Sequence, residues 1–396
     1  MHDDVAVPFP GGTVRILTLA SVRQLEAWQR AFRDQCKDHR YYELIEETLA
    51  NDFEYRYAVI EDRIGQIRAI QSIFFVRQNL VEGIRGFFRR VVDLVRKKFA
   101  RFLTMRVLMV GCAAGAGEVG ACSPEDKKFV AEALGATLRS CGRTNKASLV
   151  VLKDFPANYR STLAVLSEKN GYTRVPSMPM TRLELSFQNF DEYLQTLGYV
   201  SRKSLRRKFR KTERAAKIDM EVVNDISPHI DTIYPLYLQV HERSAMKFET
   251  LTKDFFCRIS QTMPERTRFF IWRALGKIVA FSLCLVCGDT IYDECLGLDY
   301  SVALELHLYF YTMRDVISWA LAQKLRYYVS GPLNYDPKLH LGHELAPLDL
   351  YVLHTRAWLN PIFSVALKYL EPTRHDPILK KFPNADQLAV RAERAL

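Results

Sequence analysis

The sequence predicts an α/β protein with mixed sheets, organised as two tandem lobes with a cleft between them. Three observations favour this fold class. The chain has 396 residues, 48% hydrophobic and 26% charged, which is enough for two domains with sizeable cores. Two segments have the pattern of β-hairpins, and each is followed by strand-like, helical and strand-like stretches. Most of the excess positive charge lies in two short segments, which therefore need local explanations.

The two hairpins share a local sequence. The first turns at Asp-Arg-Ile-Gly over 62–65, and the second turns at Arg-Ala-Leu-Gly over 273–276. After the turns, Gly-Gln-Ile-Arg-Ala at 65–69 aligns with Gly-Lys-Ile-Val-Ala at 276–280. An internal duplication explains this match most economically.

The stretches after each hairpin support the duplication. In the first half, a strand, a helix and a strand are predicted over 105–110, 123–141 and 147–152. In the second half, the same elements are predicted over 290–296, 303–323 and 325–330. Further helices are predicted over 230–243 and 252–263. Hairpins combined with strand–helix–strand crossovers indicate mixed sheets.

These elements predict four parts along the chain. They are an N-terminal lobe over 1–190, a basic helical connector over 191–267, a C-terminal lobe over 268–371 and a loosely attached tail over 372–396.

The connector carries the most specific resemblance to a known family. It reads Tyr-Leu-Gln-Thr-Leu-Gly-Tyr-Val-Ser-Arg-Lys-Ser-Leu-Arg-Arg-Lys-Phe-Arg-Lys over 193–211, and the second hairpin and a long helix follow it. This order, over about residues 50–355, resembles the tandem GNAT-superfamily N-acyltransferases of the FemAB-like (peptidoglycan biosynthesis/recognition-type) group. The resemblance implies two GNAT-like lobes and transfer of an acyl or aminoacyl group, from a thioester or a charged tRNA, to an amine.

The chain departs from simple GNAT enzymes in its phosphate-binding loop. The usual Arg/Gln-x-x-Gly-x-Gly/Ala loop is absent from both expected places. The first lobe instead offers Gly115, Gly117 and Gly120, which match G-x-G-x-x-G between a strand and a helix and are candidates for binding a phosphate of the donor. The alternative is a flexible surface loop.

Residues 84–103 form the first basic segment, with seven Lys/Arg and one Asp. Apolar residues recur at helical spacing, and cations occupy the other side, so the segment predicts a basic amphipathic helix on an anionic membrane. The candidate membrane-binding residues are Phe88, Arg89, Arg96 and Phe99. The alternative is a helix packed on its own lobe with a solvated charged face.

Residues 201–217 form the second basic segment, with nine Lys/Arg and one Glu. Its apolar line is thin, so the helix is expected to bind a polyanion such as coenzyme A, a phospholipid headgroup or a tRNA backbone. Arg206, Arg207 and Arg210 are the candidate phosphate ligands. The alternative is a solvated basic helix.

Amine attack on a thioester needs a base for the amine proton and an acid for the thiolate. Suitable groups are concentrated around the second lobe, and the candidates are Glu294, Asp293, His241, His307, Tyr335 and Lys338. On a regular strand Asp293 and Glu294 point to opposite faces, so one of them at most faces a given pocket. No metal is predicted, because the H-x-x-H pair His340 and His343 lacks accompanying carboxylate spacing.

The sequence therefore predicts an N-acyltransferase that uses acyl-CoA or an acyl carrier protein as co-substrate, with no tightly bound cofactor. The acceptor is an amine, preferably on a lipid or amino-lipid. Without a long apolar run or a secretory signal, the protein is expected to be cytoplasmic, peripheral on the inner face of the cytoplasmic membrane.

Two alternatives remain open. One is an aminoacyl-tRNA-dependent peptidoglycan aminoacyltransferase, which should bind tRNA with strong salt dependence. The absence of a sustained heptad pattern for a coiled-coil arm disfavours it. The other is a non-catalytic membrane-binding protein on a degenerate acyltransferase fold, which the missing phosphate loop favours.

Overall fold

A computed structural model of the protein describes residues 5–79, 94, 104–244 and 246–389. The chain forms two compact units. The first contains the described residues up to Met178, Pro347–Asp376 and the described residues from Leu388; the second contains Pro179–Ala346 and Pro377–Gln387.

The strands are β1 Val5–Phe9, β2 Gly12–Leu17, β3 Glu54–Asp62, β4 Ile67–Asn79, β5 Thr104–Val110, β6 Leu149–Pro156, β7 Thr173–Glu184, β8 Ile218–Val223, β9 Thr267–Ala274, β10 Lys277–Cys287, β11 Thr290–Leu298, β12 Tyr327–Ser330 and β13 Glu344–His354. The helices are α1 Leu19–Val22, α2 Glu26–Arg30, α3 His39–Leu49, α4 Lys127–Thr144, α5 Arg160–Lys169, α6 Phe190–Thr196, α7 Tyr199–Ala215, α8 Ile230–Arg243, α9 Lys253–Thr262, α10 Leu308–Ala322, α11 Tyr335–His340 and α12 Asn360–Leu370.

The first unit has a sheet in the order β1-β2-β3-β4-β5-β6-β13. Its strands pair antiparallel except β5 and β6, which are parallel and are connected through α4. The predicted hairpin is β3–β4: Gly65 has φ +81°, and the Asp62 carboxylate accepts from the N–H groups of Ile64 and Gln66. A glycine at positive φ and an aspartate bonded to nearby amides explain why this sequence turns here.

In the second unit the strands follow the order β7-β12-β11-β10-β9-β8, where β7 contributes only its residues from Pro179 onward. Here β11 and β12 form the parallel pair, connected through α10. The predicted hairpin is β9–β10, with positive φ at both Leu275 and Gly276. Hairpin, strand, helix and strand thus recur in the same order in both units, which confirms the predicted mixed-sheet, duplicated α/β architecture. The cleft between the lobes stays a prediction.

The unit boundaries differ from the predicted domain limits. Residues 191–267 are part of the second unit, since β8 pairs with β9 along Ile218–Val223. Residues 347–371 belong to the first unit, where Asp349 on β13 is fully buried. Its carboxylate accepts from Arg160 Nε at 2.5 Å and from Arg174 Nη1 at 3.1 Å. A buried carboxylate needs such partners, and here they tie β13 to the first unit.

Three local expectations also need correction. The helix predicted from residue 303 begins at Leu308, because the preceding residues form turns and His307 has φ +46°. The loop predicted after Ser330 contains α11. The tail is not loosely attached over its described part, because Leu379, Phe382 and Leu388 are buried there.

The first basic segment, with Phe88, Arg89, Arg96 and Phe99, lies outside the described residues. In the part of the chain that is described, no helix is both long enough and apolar enough to cross a bilayer.

Candidate functional site

A carboxylate lies where two strands of the second unit stop pairing. The parallel register of β11 and β12 ends at the pair Asp293 and Ser330. The Asp293 side chain accepts from Ser282 Oγ at 2.5 Å and from Tyr328 OH at 2.6 Å. A register shift between β10 and β11 accompanies this arrangement, since Leu283 is opposite Cys295 and Cys284 is opposite Asp293. Neighbouring strands thus hold Asp293 in a fixed position, with part of its surface accessible.

The environment of Asp293 favours proton exchange. Burial raises the pKa of its carboxyl group. The hydrogen bonds from Ser282 and Tyr328 and the charge of Lys338 act in the opposite direction. A carboxylate with a raised pKa is a better proton acceptor than an ordinary surface aspartate.

Lys338 is the cationic member of this cluster, and its side chain is buried. Its Nζ donates to Gly331 O at 2.5 Å and to Leu333 O at 2.8 Å, in the loop that follows β12. Burial lowers the pKa of Lys338 to about 7, although the Asp293 charge opposes the shift. Lys338 therefore changes charge near neutral pH while it holds the loop at the end of β12.

His343 completes the cluster. Its ring is buried edge-on to Tyr328, with centroids 5.5 Å apart, and its Nδ1 lies 3.1 Å from Thr181 Oγ1. Burial and the Lys338 charge lower the pKa of His343 to about 3, so the imidazole is neutral at physiological pH. Its Nε2 is buried without a hydrogen-bond partner among the described residues. Buried polar atoms normally have partners, so this nitrogen marks a position for a polar group.

The predicted catalytic residues thus separate into two groups. Asp293 and Lys338 come together. Glu294 follows Asp293 on β11 at the register shift, where Asp293 is opposite Cys284 and Cys295 is opposite Leu283, so Glu294 is an extra residue on this strand and the alternation of faces expected for a regular strand does not hold there. Tyr335 lies next to this pair, with Lys338 Nζ 5.7 Å from its ring centroid, whereas His241 and His307 have other surroundings.

His241, Tyr335 and His307 each interact with different neighbours. His241 Nε2 lies 3.0 Å from Glu249 O. Tyr335 OH donates to Pro179 O at 2.8 Å, and its ring packs edge-on against Phe382. Burial, followed by the charges of Lys211, Lys208 and Arg207, lowers the pKa of His307. His241 and Tyr335 therefore have structural hydrogen bonds, and His307 lies close to the cations of the basic helix α7.

The glycine loop of the first unit differs from a phosphate-binding loop. Gly117 N–H donates to Asp154 O and Gly120 N–H to Gln71 Oε1, each at 2.9 Å. A Cβ at Gly117 would lie 2.4 Å from Lys153 O, and one at Gly120 would lie 2.2 Å from Ile70 O. These two glycines are required for close backbone packing, and their amides are already used. The prediction that Gly115, Gly117 and Gly120 together cradle a phosphate is therefore corrected.

The same loop positions an acidic side chain that the sequence reasoning missed. Glu118 accepts from Tyr159 OH at 2.5 Å, and Gln71 Nε2 holds its carbonyl at 3.0 Å. Burial raises the pKa of Glu118 to about 7, against the Tyr159 hydrogen bond and the charges of Lys127 and Lys37. The available signal was that Glu118 is the one acidic or basic residue among positions 111–122.

A small cavity lies beside this loop. Its volume is about 20 Å³, and its lining includes Gln35, Val119, Ser123 and Lys127. One water-sized group fits such a space. The first unit thus has a second carboxylate–tyrosine pair, Glu118 with Tyr159, next to a polar cavity.

Replacing Glu118 should reveal its raised pKa. Between pH 4.5 and about 7 the folded protein binds more protons at this site than the unfolded chain, so its contribution to stability falls as pH rises. Glu118→Gln should therefore stabilise the protein by on the order of 2 kcal/mol at pH 8 and little at pH 4.5. Urea unfolding at both pH values measures this, with Glu132→Gln on the exposed side of α4 as the control. Equal effects at both pH values would contradict the shift.

The basic helix α7 is amphipathic in the way its sequence predicts. Leu205, Phe209 and Thr212 are buried, and Thr212 Oγ1 donates to Leu306 O at 2.7 Å. The candidate phosphate ligands Arg206, Arg207 and Arg210 are exposed, and no ion pair joins them to a carboxylate in the described structure. The outer face of α7 is therefore an uncompensated cationic surface.

The FemAB-like family model, described as peptidoglycan biosynthesis/recognition, matches residues 117–373, more than half of the chain. The chain therefore belongs to the FemAB-like family, as its sequence resemblance implied.

Two solved structures share the fold. FemX superposes with a TM-score of 0.51 and 10% identity, covering 89% of this chain and 100% of FemX. The second is the C-terminal domain (DUF2156) of an Agrobacterium fabrum protein provisionally named a lysylphosphatidylglycerol synthetase. It superposes with a TM-score of 0.50 and 14% identity, covering 88% of this chain and 95% of that domain.

Curated relatives are also similar over most of this chain. Two Mycobacterium tuberculosis proteins, provisionally named 8-amino-7-oxononanoate synthase 2, are 21% identical over 85% of this chain. The chain spans 45% of their length, so it corresponds to less than half of those proteins.

Proposed function

We propose that the second unit transfers an acyl group from a thioester to an amine, with Asp293 as the base. The observation that carries this proposal is the cluster at the ends of β11 and β12. There Asp293, which is only partly buried as a residue, has a carboxyl group with a raised pKa and lies in a cluster with Tyr328, Lys338 and His343. Family membership makes acyl transfer the reaction to test first.

The proposed step is nucleophilic substitution at the thioester carbonyl. The neutral amine nitrogen attacks the carbonyl carbon, a C–N bond forms and the C–S bond breaks. Asp293 takes the proton that the nitrogen loses, and the released thiolate takes a proton from solvent. Lys338 acts as a positioning residue, because it holds the Gly331 and Leu333 carbonyls after β12.

The proposed donor is acyl-CoA or an acyl carrier protein, neither being tightly bound. Both carry phosphate, and Arg206, Arg207 and Arg210 on α7 offer exposed guanidinium groups in the same unit. These residues support a phosphorylated donor.

The proposed acceptor is an amine on a lipid or amino-lipid, with the protein peripheral on the inner face of the cytoplasmic membrane. The name of the Agrobacterium relative mentions a phospholipid that carries an amino acid, which makes lipid amines a sensible first group to test.

Charge reversal on α7 tests the phosphate contact. The triple variant Arg206→Glu, Arg207→Glu, Arg210→Glu should raise the donor KM by about tenfold or more with kcat little changed, because several charge-assisted contacts are lost. A matched control reverses three exposed cations elsewhere in the second unit, Lys277, Lys324 and Arg326. An equal KM change in both variants would show that general electrostatics, rather than a site on α7, is responsible.

The uncompensated charge on α7 also supports an aminoacyl-tRNA donor, as in the peptidoglycan aminoacyltransferase alternative. The logarithm of the tRNA binding constant would then fall linearly with the logarithm of the salt concentration. The slope would be set by the number of phosphates contacted. The same triple variant would then lower that slope. Acyl-CoA turnover without any tRNA dependence would exclude this donor.

The direct assay is amine-dependent thiol release from a panel of acyl-CoA and acyl carrier protein donors, with product identification by mass spectrometry. Amine-dependent release that Asp293→Asn abolishes supports the proposal. If no donor and no charged tRNA is consumed, the remaining alternative is a non-catalytic membrane-binding protein on an acyltransferase fold.

A further inference from the structure

Helix α12 of the first unit presents a row of exposed apolar side chains. None of its residues is buried. Trp358, just before the helix, is 68% exposed, and Ile362, Val365 and Tyr369 are 62%, 57% and 71% exposed. Spacings of three and four residues place Ile362, Val365 and Tyr369 on one face of the helix, and Trp358 precedes Ile362 by four residues in the turn that leads into it. These four residues are called the α12 stripe. A contiguous exposed apolar surface of this kind marks an interaction site.

The inner side of α12 is fixed to its own unit. The Asn360 side chain accepts from His354 N–H at 2.9 Å and donates to Gly171 O at 2.7 Å. The Phe363 ring packs on the His354 ring, with centroids 5.0 Å apart. The stripe is thus displayed by an anchored helix.

The charges around the stripe are positive. No acidic residue occurs from 355 to 370, while Arg356 and Lys368 are exposed and have no carboxylate partner in the described structure. Glu371, which follows the helix, is already bonded to Arg374 Nε at 3.2 Å. The complementary surface is therefore apolar and anionic.

We propose that the α12 stripe is a contact surface for an anionic lipid bilayer. Aromatic residues stand at its two ends, aliphatic residues lie between them, and cations flank it, which is the composition of helices that lie in the headgroup region. A second copy of the chain is a poorer partner. A two-fold contact would bring Arg356 and Lys368 near their counterparts with no acid on the stripe to pair with them.

This inference does not depend on the proposed transfer reaction, because α12 belongs to the first unit and the Asp293 cluster to the second. A variant that no longer binds membranes should still act on a water-soluble amine. A variant that is inactive in acyl transfer should still bind membranes.

Trp358 provides a site-specific probe. Of the four tryptophans, Trp28 and Trp272 are buried, Trp319 is partly buried and Trp358 is exposed. Vesicles of phosphatidylcholine and phosphatidylglycerol should shift the emission of the full chain to the blue, and brominated lipids should quench it. Pure phosphatidylcholine vesicles should do so more weakly. Trp358→Phe should remove the spectral change while the protein still sediments with the vesicles.

The paired variant Ile362→Asp, Val365→Asp places two charges on the exposed side of α12, where folding should not be affected. It should weaken binding to the mixed vesicles by about tenfold or more, because apolar burial is lost and anions face anions. The control Ile64→Asp changes an exposed apolar residue of the same unit outside the stripe and should bind normally. Circular dichroism and thermal melting verify the fold.

Three results would overturn the inference. One is sedimentation with vesicles while Trp358 emission is unchanged, which would place the membrane contact elsewhere. Another is undiminished binding by the paired variant. The third is a dimer in sedimentation velocity, without lipid, that the paired variant dissociates, since the stripe would then be a subunit interface.

Discussion

Asp293→Asn is expected to lower amine-dependent acyl transfer by about a hundredfold or more, because a general base typically contributes that much. The amide has the size of the carboxylate and can still accept one hydrogen bond from Ser282 or Tyr328. It cannot take a proton from the amine. In the wild type, kcat/KM should fall as pH decreases through the raised pKa of Asp293. In the Asp293→Asn variant, the residual kcat/KM should not show this fall at low pH.

The matched control is Asp289→Asn, an exposed carboxylate just before β11. It should leave kcat/KM within about twofold of wild type, as surface substitutions usually have small effects. An Asp293→Asn enzyme that retains most of its activity, with the same pH profile, would remove Asp293 from the reaction.

Lys338→Met is expected to remove a pH dependence of stability. Burial lowers the pKa of Lys338 from its ordinary value of 10.5 to about 7. Between these two pH values the Lys338 side chain is protonated in the unfolded chain and deprotonated in the folded protein. Its contribution to the free energy of unfolding therefore rises with pH. The change across this pH range should be on the order of a few kcal/mol in wild type and absent in the variant. Urea unfolding at pH 6.5 and 9.5 measures it.

The activity of this variant separates electrostatic positioning from packing. The charge of Lys338 lowers the pKa of Asp293, so its removal should move the acidic limb of the kcat/KM profile to higher pH. The control is Lys277→Met, at an exposed strand end. It should change neither the pH dependence of the free energy of unfolding nor the pH profile of kcat/KM. Loss of stability by the same amount at both pH values, with an unshifted profile, would reduce Lys338 to a structural residue.

Local signals in the sequence were sufficient for the hairpins and the crossovers. Gly65 and Gly276 specify their turns, and the apolar segments around them are long enough to identify strands. The return of 347–354 to the first sheet could not be predicted in this way. It depends on Asp349 meeting Arg160 and Arg174, which are far away in sequence. The packing of the tail through Phe382 is likewise a long-range effect.

The candidate site was partly predictable. Asp293 and Lys338 were identified by residue type, because acids and bases are dense around the second hairpin. Their role as a cluster depends on Tyr328 and His343, which come from other strands or loops and leave no local signal. Glycine spacing was misleading in the first unit, since close packing and phosphate binding select the same residue. There the informative residue was Glu118.

The most direct measurement is a crystal structure of the full chain with a non-hydrolysable thioether analogue of acyl-CoA. The carbonyl carbon of the analogue is expected beside Asp293, where β11 and β12 stop pairing, with its phosphates on the outer face of α7. An analogue seated in the first unit beside Glu118 and Tyr159, with the Asp293 cluster unchanged, would contradict the central claim that acyl transfer takes place in the second unit.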